Sequence, residues 1–253
     1  MEDAAFFKLL NIWQPSKPPR VWSFVVTLFG DLAQTPGTYL SGTALNAVLD
    51  GIGVKPEATR VALHRLRKDG WITSTKDGRK SNYALTAWGL AQCAAANPLI
   101  YGPRPATDKA WLVATEPGHS QPDGMIAIAP NLFVSPVHVT DHKALALPMD
   151  PEAVIPEWVT EKLCPPELVQ ASDALYQQLV AFHAVTRATD QFTPLQIVIL
   201  RAAIVHTWRR LVLRTPQVPD HLFPCSWKGT ACGRLVDKAL ESLPLPNLAD
   251  LTA

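Results

Sequence analysis

A chain of 253 residues with 47% hydrophobic and 18% charged residues can bury more than one core, and its formal net charge of +1 excludes a protein that is basic throughout. The opening Met1-Glu2-Asp3 carries acids where a secretory leader carries bases, and no apolar run reaches the roughly 20 residues of a membrane helix, which predicts a cytoplasmic protein with no membrane partner. Cys93, Cys164, Cys225 and Cys232 are scattered without a C-x-x-C pair, which argues against a disulfide framework and against a zinc site.

In chain order, "QPSKPPR" reads as a linker or arm, and "VWSFVVTLFGDL" (Val21 to Leu32) as a helix buried nearly all round. A second helix starts at Ser41 or Thr43, both good capping residues, and runs through Leu45, Val48 and Leu49 to a stop at Gly51. After the tight "GIGV", Pro56 opens a third helix, Glu57 sets a carboxylate near its positive end, and Gly70 closes it. Helix, short Gly-containing turn and helix is the order of a helix-turn-helix. "WITST" and "SNYAL" then form a hairpin through "KDGRK", with Asp77-Gly78 as its turn, and that hairpin makes a wing. Trp71 and Tyr83 pack it back on the helices, and Thr86 caps a further helix to about Ala96.

Charge concentrates on this region. Between Lys55 and Lys80 stand eight Lys or Arg against three acids, a local +5, so the rest of the chain is −4. At about 100° per residue, Ala58, Ala62 and Leu66 share a side of the third helix with Val61 and Leu63 flanking, while Glu57, Arg60, His64, Arg67 and Lys68 fall opposite. One stripe packs and the other is available to a polyanion. Lys55, Thr59 and Arg65 complete the candidate DNA-contacting set on this helix, and Lys76, Arg79 and Lys80 supply it at the wing. Arg65 lies near the packed flank, where an internal salt bridge and a phosphate contact are both open to it. The competing reading of the stripe and of the wing tip is an ordinary solvated, charged surface.

Beyond Asn97, "NPLIYGPRPA" reads as a Pro-rich linker, followed by strands at Trp111 to Thr115, Met125 to Ala129 and Leu132 to Val134. Helices follow at Pro166 to about Val185, with Leu168, Ala171, Leu175, Leu179 and Phe182 repeating, at Thr193-Pro194 to Arg214, and at Ala231 to Leu243. The predicted fold class is α+β: a winged helix-turn-helix (1–97), a small α/β middle domain (106–150) and a helical carboxy-terminal domain (151–253) for effector binding and dimerisation.

His206, Arg209, Arg210 and Arg214 cluster towards the end of the long helix, where cations suit the negative helix terminus. They either hold phosphates of a nucleotide-like effector or pair with acids of a neighbouring domain. Arg201, inside "VILRAAIV", needs a buried carboxylate or carbonyl. His138, Asp141 and His142 in "HVTDH" have helical metal-site spacing, but the flanking Val and Thr favour a strand, in which the two histidines stand about 13 Å apart. The sequence holds no catalytic triad signature, nucleophile elbow, P-loop or dinucleotide fingerprint, so neither enzyme chemistry nor a cofactor is expected.

The stretches "SFVVTLFGD", "PEATRVALHRLRKDGWI", "GRKSNYALTAWG", "IYGPRP", "NLFVSP" and "AAIVHTWRRLVLRTPQVPDHLFPCSWKG" resemble the PaaX-like phenylacetate-degradation repressors in order and spacing. The resemblance implies a dimeric repressor of operator DNA with a winged helix, a middle domain and a helical end domain, released by phenylacetyl-CoA or a similar aryl- or acyl-CoA. It puts Arg60 and Arg65 on the recognition helix and Arg79 on the wing. The chain departs from the family in the middle domain, where "EPGHSQPDGMIAIAPN" replaces an interval that elsewhere holds a basic helix. The leading expectation is a non-enzymatic, ligand-responsive repressor. Two other classes compete: an enzyme acting on a CoA thioester with an appended winged helix, and a winged helix that binds protein, since fold alone does not dictate function.

Overall fold

Capping chemistry and glycine punctuation set the element boundaries of the computed structural model, which describes residues 2–13, 20–78, 80–102, 109–118, 124–186 and 191–252. In chain order these are α1 (Glu2–Ile12), α2 (Val21–Leu32), β1 (Leu40–Ser41), α3 (Gly42–Gly51), α4 (Pro56–Lys68), β2 (Ile72–Asp77), β3 (Lys80–Leu85) and α5 (Ala87–Tyr101). Then come β4 (Trp111–Thr115), β5 (Ile126–Ala129), β6 (Leu132–Ser135), β7 (Ala144–Pro148), α6 (Glu157–Leu163), α7 (Pro166–Val185), α8 (Pro194–Val212) and α9 (Gly229–Ser242). The class is α+β, with two antiparallel sheets ordered β1-β3-β2 and β5-β6-β4-β7.

The chain divides into two compact units. The first comprises residues 1–102, 177–210 and 232–253, the second 103–176 and 211–231. These units cut across the spans 1–97, 106–150 and 151–253 expected from the sequence, because α8 and α9 contribute to the same core as α2 to α5.

In the first unit, α2 is the central element: Phe24, Val25, Val26, Leu28 and Phe29 are buried, and each such side chain contributes about 1.5–3 kcal/mol. Around it lie Leu45 and Leu49 of α3, Leu66 of α4, and Ile204 and Trp208 of α8. Ser41 caps α3 by accepting from Ala44 N at 3.0 Å, Thr86 caps α5 by accepting from Gly89 N at 3.0 Å, and Thr193 and Gln196 form a reciprocal capping box on α8. Buried Arg201 makes the pair its setting demanded: its Nε and Nη2 donate to Asp31 at 3.0 and 2.9 Å, and Nη1 to the carbonyls of Leu243 and Leu240. Tyr101 Oη donates to the same carboxylate at 2.9 Å.

That last bond explains one departure from the sequence reading. α5 continues past Ala96 and through Pro98 to Tyr101, so part of the expected linker is helix. Proline removes one helical hydrogen bond. Against that loss stand burial of Ile100, a bond from Trp208 Nε1 to Ile100 O at 3.0 Å, and the Tyr101–Asp31 contact.

In the second unit, Val113, Phe133 and Val134 form the sheet's interior, and α6 lies against β5. The turn between β5 and β6 uses Asn131 at φ 56°, a left-handed conformation that asparagine tolerates. Among the described residues of 106–150 there are strands and turns and no helix, and the helices of this unit, α6 and the start of α7, follow the antiparallel sheet. One expectation is corrected here. "HVTDH" is not a strand: Asp141 Oδ1 accepts from Lys143 N at 2.9 Å, and the turn it makes feeds β7, a strand the sequence reading lacked. No helix among the described residues is long and apolar enough to cross a membrane.

Candidate nucleic-acid interface

α4 forms because Pro56 supplies the fixed φ of the first helical turn and Glu57 complements the helix dipole, and it stops because Gly70 takes φ +74°. Thr59, Ala62, Leu63 and Leu66 are buried against α2 and α3. The outer surface carries Glu57, Arg60, Val61, His64, Arg65, Arg67 and Lys68, with Lys55 at the amino end, all exposed. Two positions move relative to expectation. Thr59 is 1% exposed, its hydroxyl inside the helix packing with no hydrogen-bond partner among the described residues, so its side chain cannot reach DNA. Val61 is 69% exposed and belongs to the outer face between Arg60 and His64.

The outer cations fall into two kinds. Among the described residues Arg60 meets only Glu57, at 3.7 Å and with both side chains about three-quarters exposed, a weak pair that exchanges readily for another partner. Arg65 and Arg67 are tied down. Arg65 Nε lies 3.4 Å from Asp69 Oδ2 and its guanidinium sits 5.6 Å from the ring centre of Trp22, which joins α4 to α2. Arg67 Nη1 donates to Ser74 Oγ at 3.3 Å and so connects α4 to β2.

The hairpin after α4 pairs in register from Ile72↔Leu85 to Asp77↔Lys80, which moves the turn one residue beyond Asp77-Gly78. Gly78 takes φ +58°, and Arg79 lies outside the described residues. Because side chains alternate along a strand, Lys76, opposite Ser81, and Lys80, opposite Asp77, stand on opposite faces of the ribbon. β1, too short for any periodicity, extends the sheet through Leu40↔Tyr83 and Ser41↔Asn82. Trp71 packs edge-on against Trp88 of α5, ring centres 4.7 Å apart, and holds the hairpin's base.

Of the four residues expected to form an effector site, His206 and Arg209 turn towards α2, and Arg210 and Arg214 are exposed. His206 is 4% exposed, stacked on Phe24 with ring centres 3.7 Å apart, and its Nδ1 lies 3.1 Å from Thr27 Oγ1. Burial first, then the charges of Arg209 and Arg210, pull its pKa down to about 3, so the ring is neutral. Arg209 turns inward, its Nη1 donating to Ser23 O and to Thr27 Oγ1, both at 3.1 Å. One residue on, about 100° around the helix, Arg210 faces solvent. Arg214 is exposed beyond the end of α8, in the second unit. Three of the four cysteines are buried and Cys225 is exposed, with no disulfide joining them.

Comparison with known proteins agrees with this architecture. Residues 20–89 match the family described as PaaX-like protein, and residues 167–247 match the PaaX-like protein C-terminal domain. The transcriptional repressor PaaX of Escherichia coli (strain K12) is 28% identical over 243 residues, which cover 84% of this chain and 77% of that one. Among solved structures, the uncharacterized protein Rv0674 from Mycobacterium tuberculosis superposes with a TM-score of 0.50 at 18% identity, covering 90% of this chain and 95% of that one, a likeness of fold. With both family segments matched in order and a relative spanning most of its length, the chain belongs to the PaaX-like family.

Proposed function

We propose that this protein is a transcriptional repressor that grips operator DNA with a winged helix made of α2 to α5 and the β1-β3-β2 sheet. α4 is its reading helix and the β2–β3 hairpin its wing. The observation that carries the reading is the outer face of α4, where Arg60, Val61 and His64 stand exposed and, among the described residues, without strong partners beside the phosphate-seeking cations Lys55 and Lys68. Glu57 and Arg60 offer an acceptor and a bidentate donor to base edges, and Val61 offers an apolar surface to a thymine methyl. Arg65 and Arg67 set the pose of the helix, and each retains donors for the backbone. Family membership and the name of the Escherichia coli relative support the repressor assignment. By the same family likeness the regulated genes serve aromatic-acid catabolism of the phenylacetate type, the inducer is an aryl- or acyl-CoA, and the protein acts in the cytoplasm without catalysing a reaction.

One winged helix contacts too few base pairs to single out a genomic site, so two copies act together on a roughly palindromic operator, with half-sites one or more helical turns apart. The test begins with a duplex selected by the protein itself from a random library. Arg60→Ala weakens binding to that duplex by about 1–3 kcal/mol and leaves random DNA nearly unaffected. Equal losses on both duplexes, or no loss on either, would remove α4 from the role of reader.

A further inference from the structure

We infer that the segment following α9, residues 244–252, is a strap that positions the reading helix, with Leu251 as the residue that fastens it to α3. A segment beyond the last long helix of a unit is ordered only where something ties it down, and this one is tied at both ends. At its start, Arg201 Nη1 donates to Leu243 O at 2.6 Å and to Leu240 O at 3.3 Å, so a guanidinium already fixed by Asp31 holds the carbonyls at the end of α9, and Leu243 is fully buried. Pro244 and Pro246 then fix two φ angles and forbid a return to helix. Asn247 starts a 3-10 turn at Leu248–Thr252: its Oδ1 accepts from Ala249 N and its carbonyl from Asp250 N, both at 3.0 Å. At the far end Leu251 is 6% exposed, and the turn lies against α3.

α3 passes its position on to α4 through a short, stiff connection. Gly53 N and Val54 N donate back to Asp50 O and Leu49 O at 2.8 and 2.9 Å, Val54 is buried, and α3 packs on α4 directly. The same end of α3 meets α8, because a side chain at Gly51 would overlap Ile199 and glycine lets the two helices touch. Two parts of the chain far from α3 in sequence, the amino end of α8 and the strap, therefore hold the helix on which α4 rests.

This hold matters to recognition more than to adhesion. Hydrogen bonds to base edges are directional and are lost when a helix tilts in the groove, whereas the attraction of phosphates for Lys55 and Lys68 survives a small tilt. Loosening the strap thus lowers discrimination between sites before it lowers DNA binding as such. Leu251 is a positioning residue in this scheme, acting through α3 and the turn after it. That consequence rests on the repressor reading; the fastening of α3 does not.

The experiment uses the full chain and three variants. Leu251→Ser unfastens the strap, Leu251→Met refills the same space, and Asn247→Ala, at an exposed position, removes the bond that starts the turn without touching the core. Hydrogen exchange read by mass spectrometry reports α3, with α7 as internal control. Exchange over Gly42–Gly51 is expected to rise at least about tenfold in Leu251→Ser, to rise less in Asn247→Ala and to match the parent in Leu251→Met, with α7 unchanged in all three. Binding to the duplex selected from a random library is expected to weaken about tenfold in Leu251→Ser, with random duplex bound within about twofold of the parent and both values restored in Leu251→Met. The inference is overturned if α3 exchange is unchanged in both Leu251→Ser and Asn247→Ala, or if α3 and α7 loosen equally, which would make Leu251 an ordinary core residue. It is overturned equally if the selected duplex loses no more than the random one. Should the parent protein bind no duplex at all, the repressor reading falls, and the exchange measurement still decides whether the strap holds α3.

Discussion

Replacing Asp31 by leucine strips Arg201 of two charge-assisted hydrogen bonds, at 2.9 and 3.0 Å, and leaves a guanidinium only 6% exposed with the carbonyls of Leu240 and Leu243 as its remaining partners. Removing one member of a buried ion pair costs about 3–5 kcal/mol, mostly for the stranded charge. That is a large part of the roughly 5–15 kcal/mol that holds a domain folded. Tyr101 Oη loses its acceptor in the same substitution, which adds to the loss. Arg201→Met alone strands the carboxylate in turn. The double variant Asp31→Leu/Arg201→Met contains neither charge, and most of the stability returns, so the two single losses should sum to well above the double. Urea unfolding of the four proteins, followed by circular dichroism, measures the cycle. An Asp31→Leu loss below about 1 kcal/mol, or additive singles, would refute the reasoning that this pair clamps α2 to α8. A fragment ending at Asn97 carries the same lesion, so the DNA-binding segment should be unstable without the carboxy-terminal helices.

Lys76 and Lys80 project from opposite faces of the hairpin, so one of them faces the duplex: either Lys76→Ala or Lys80→Ala, but not both, lowers the salt slope of log affinity by about 0.9, and equal slopes for all three proteins would take the wing off the DNA. Folded His206 stays neutral down to about pH 3, whereas in the unfolded chain the imidazole takes its proton near 6.5. Unfolding is therefore coupled to proton uptake between those values, and the contribution of the neutral ring is intact above 6.5 and lost as pH falls towards 3. His206→Asn should flatten the pH dependence of the unfolding free energy by about 1.4 kcal/mol per unit between roughly pH 4 and 6, and parallel curves for the two proteins would show that the ring is not held neutral.

Local chemistry made much of this protein legible from sequence alone. Val21 to Leu32, Pro56 to Lys68 and Pro166 to Val185 are bounded by caps, prolines and glycines that act within a few residues, so those helices stand where periodicity puts them. The charge face of α4 follows from the same 3.6-residue geometry, with Glu57, Arg60, His64 and Lys68 outward. Val61 and Thr59 were misassigned because a helical wheel gives a residue's angle, while the neighbouring helices decide how wide the buried arc is. β1 has two residues and β7 reads "ALALP", without the β-branched residues that mark a strand, so their pairing comes from the strands beside them. The need of Arg201 for a partner could be read from its apolar surroundings, but the choice of Asp31, 170 residues away, could not. The environments of the four residues expected at the effector site could not be read from sequence for the same reason. His206, Arg209 and Arg210 are near neighbours in sequence, yet packing against α2 buries the first, half-buries the second and leaves the third in water, because the cost of desolvating a charge is set by whatever the tertiary fold brings against it.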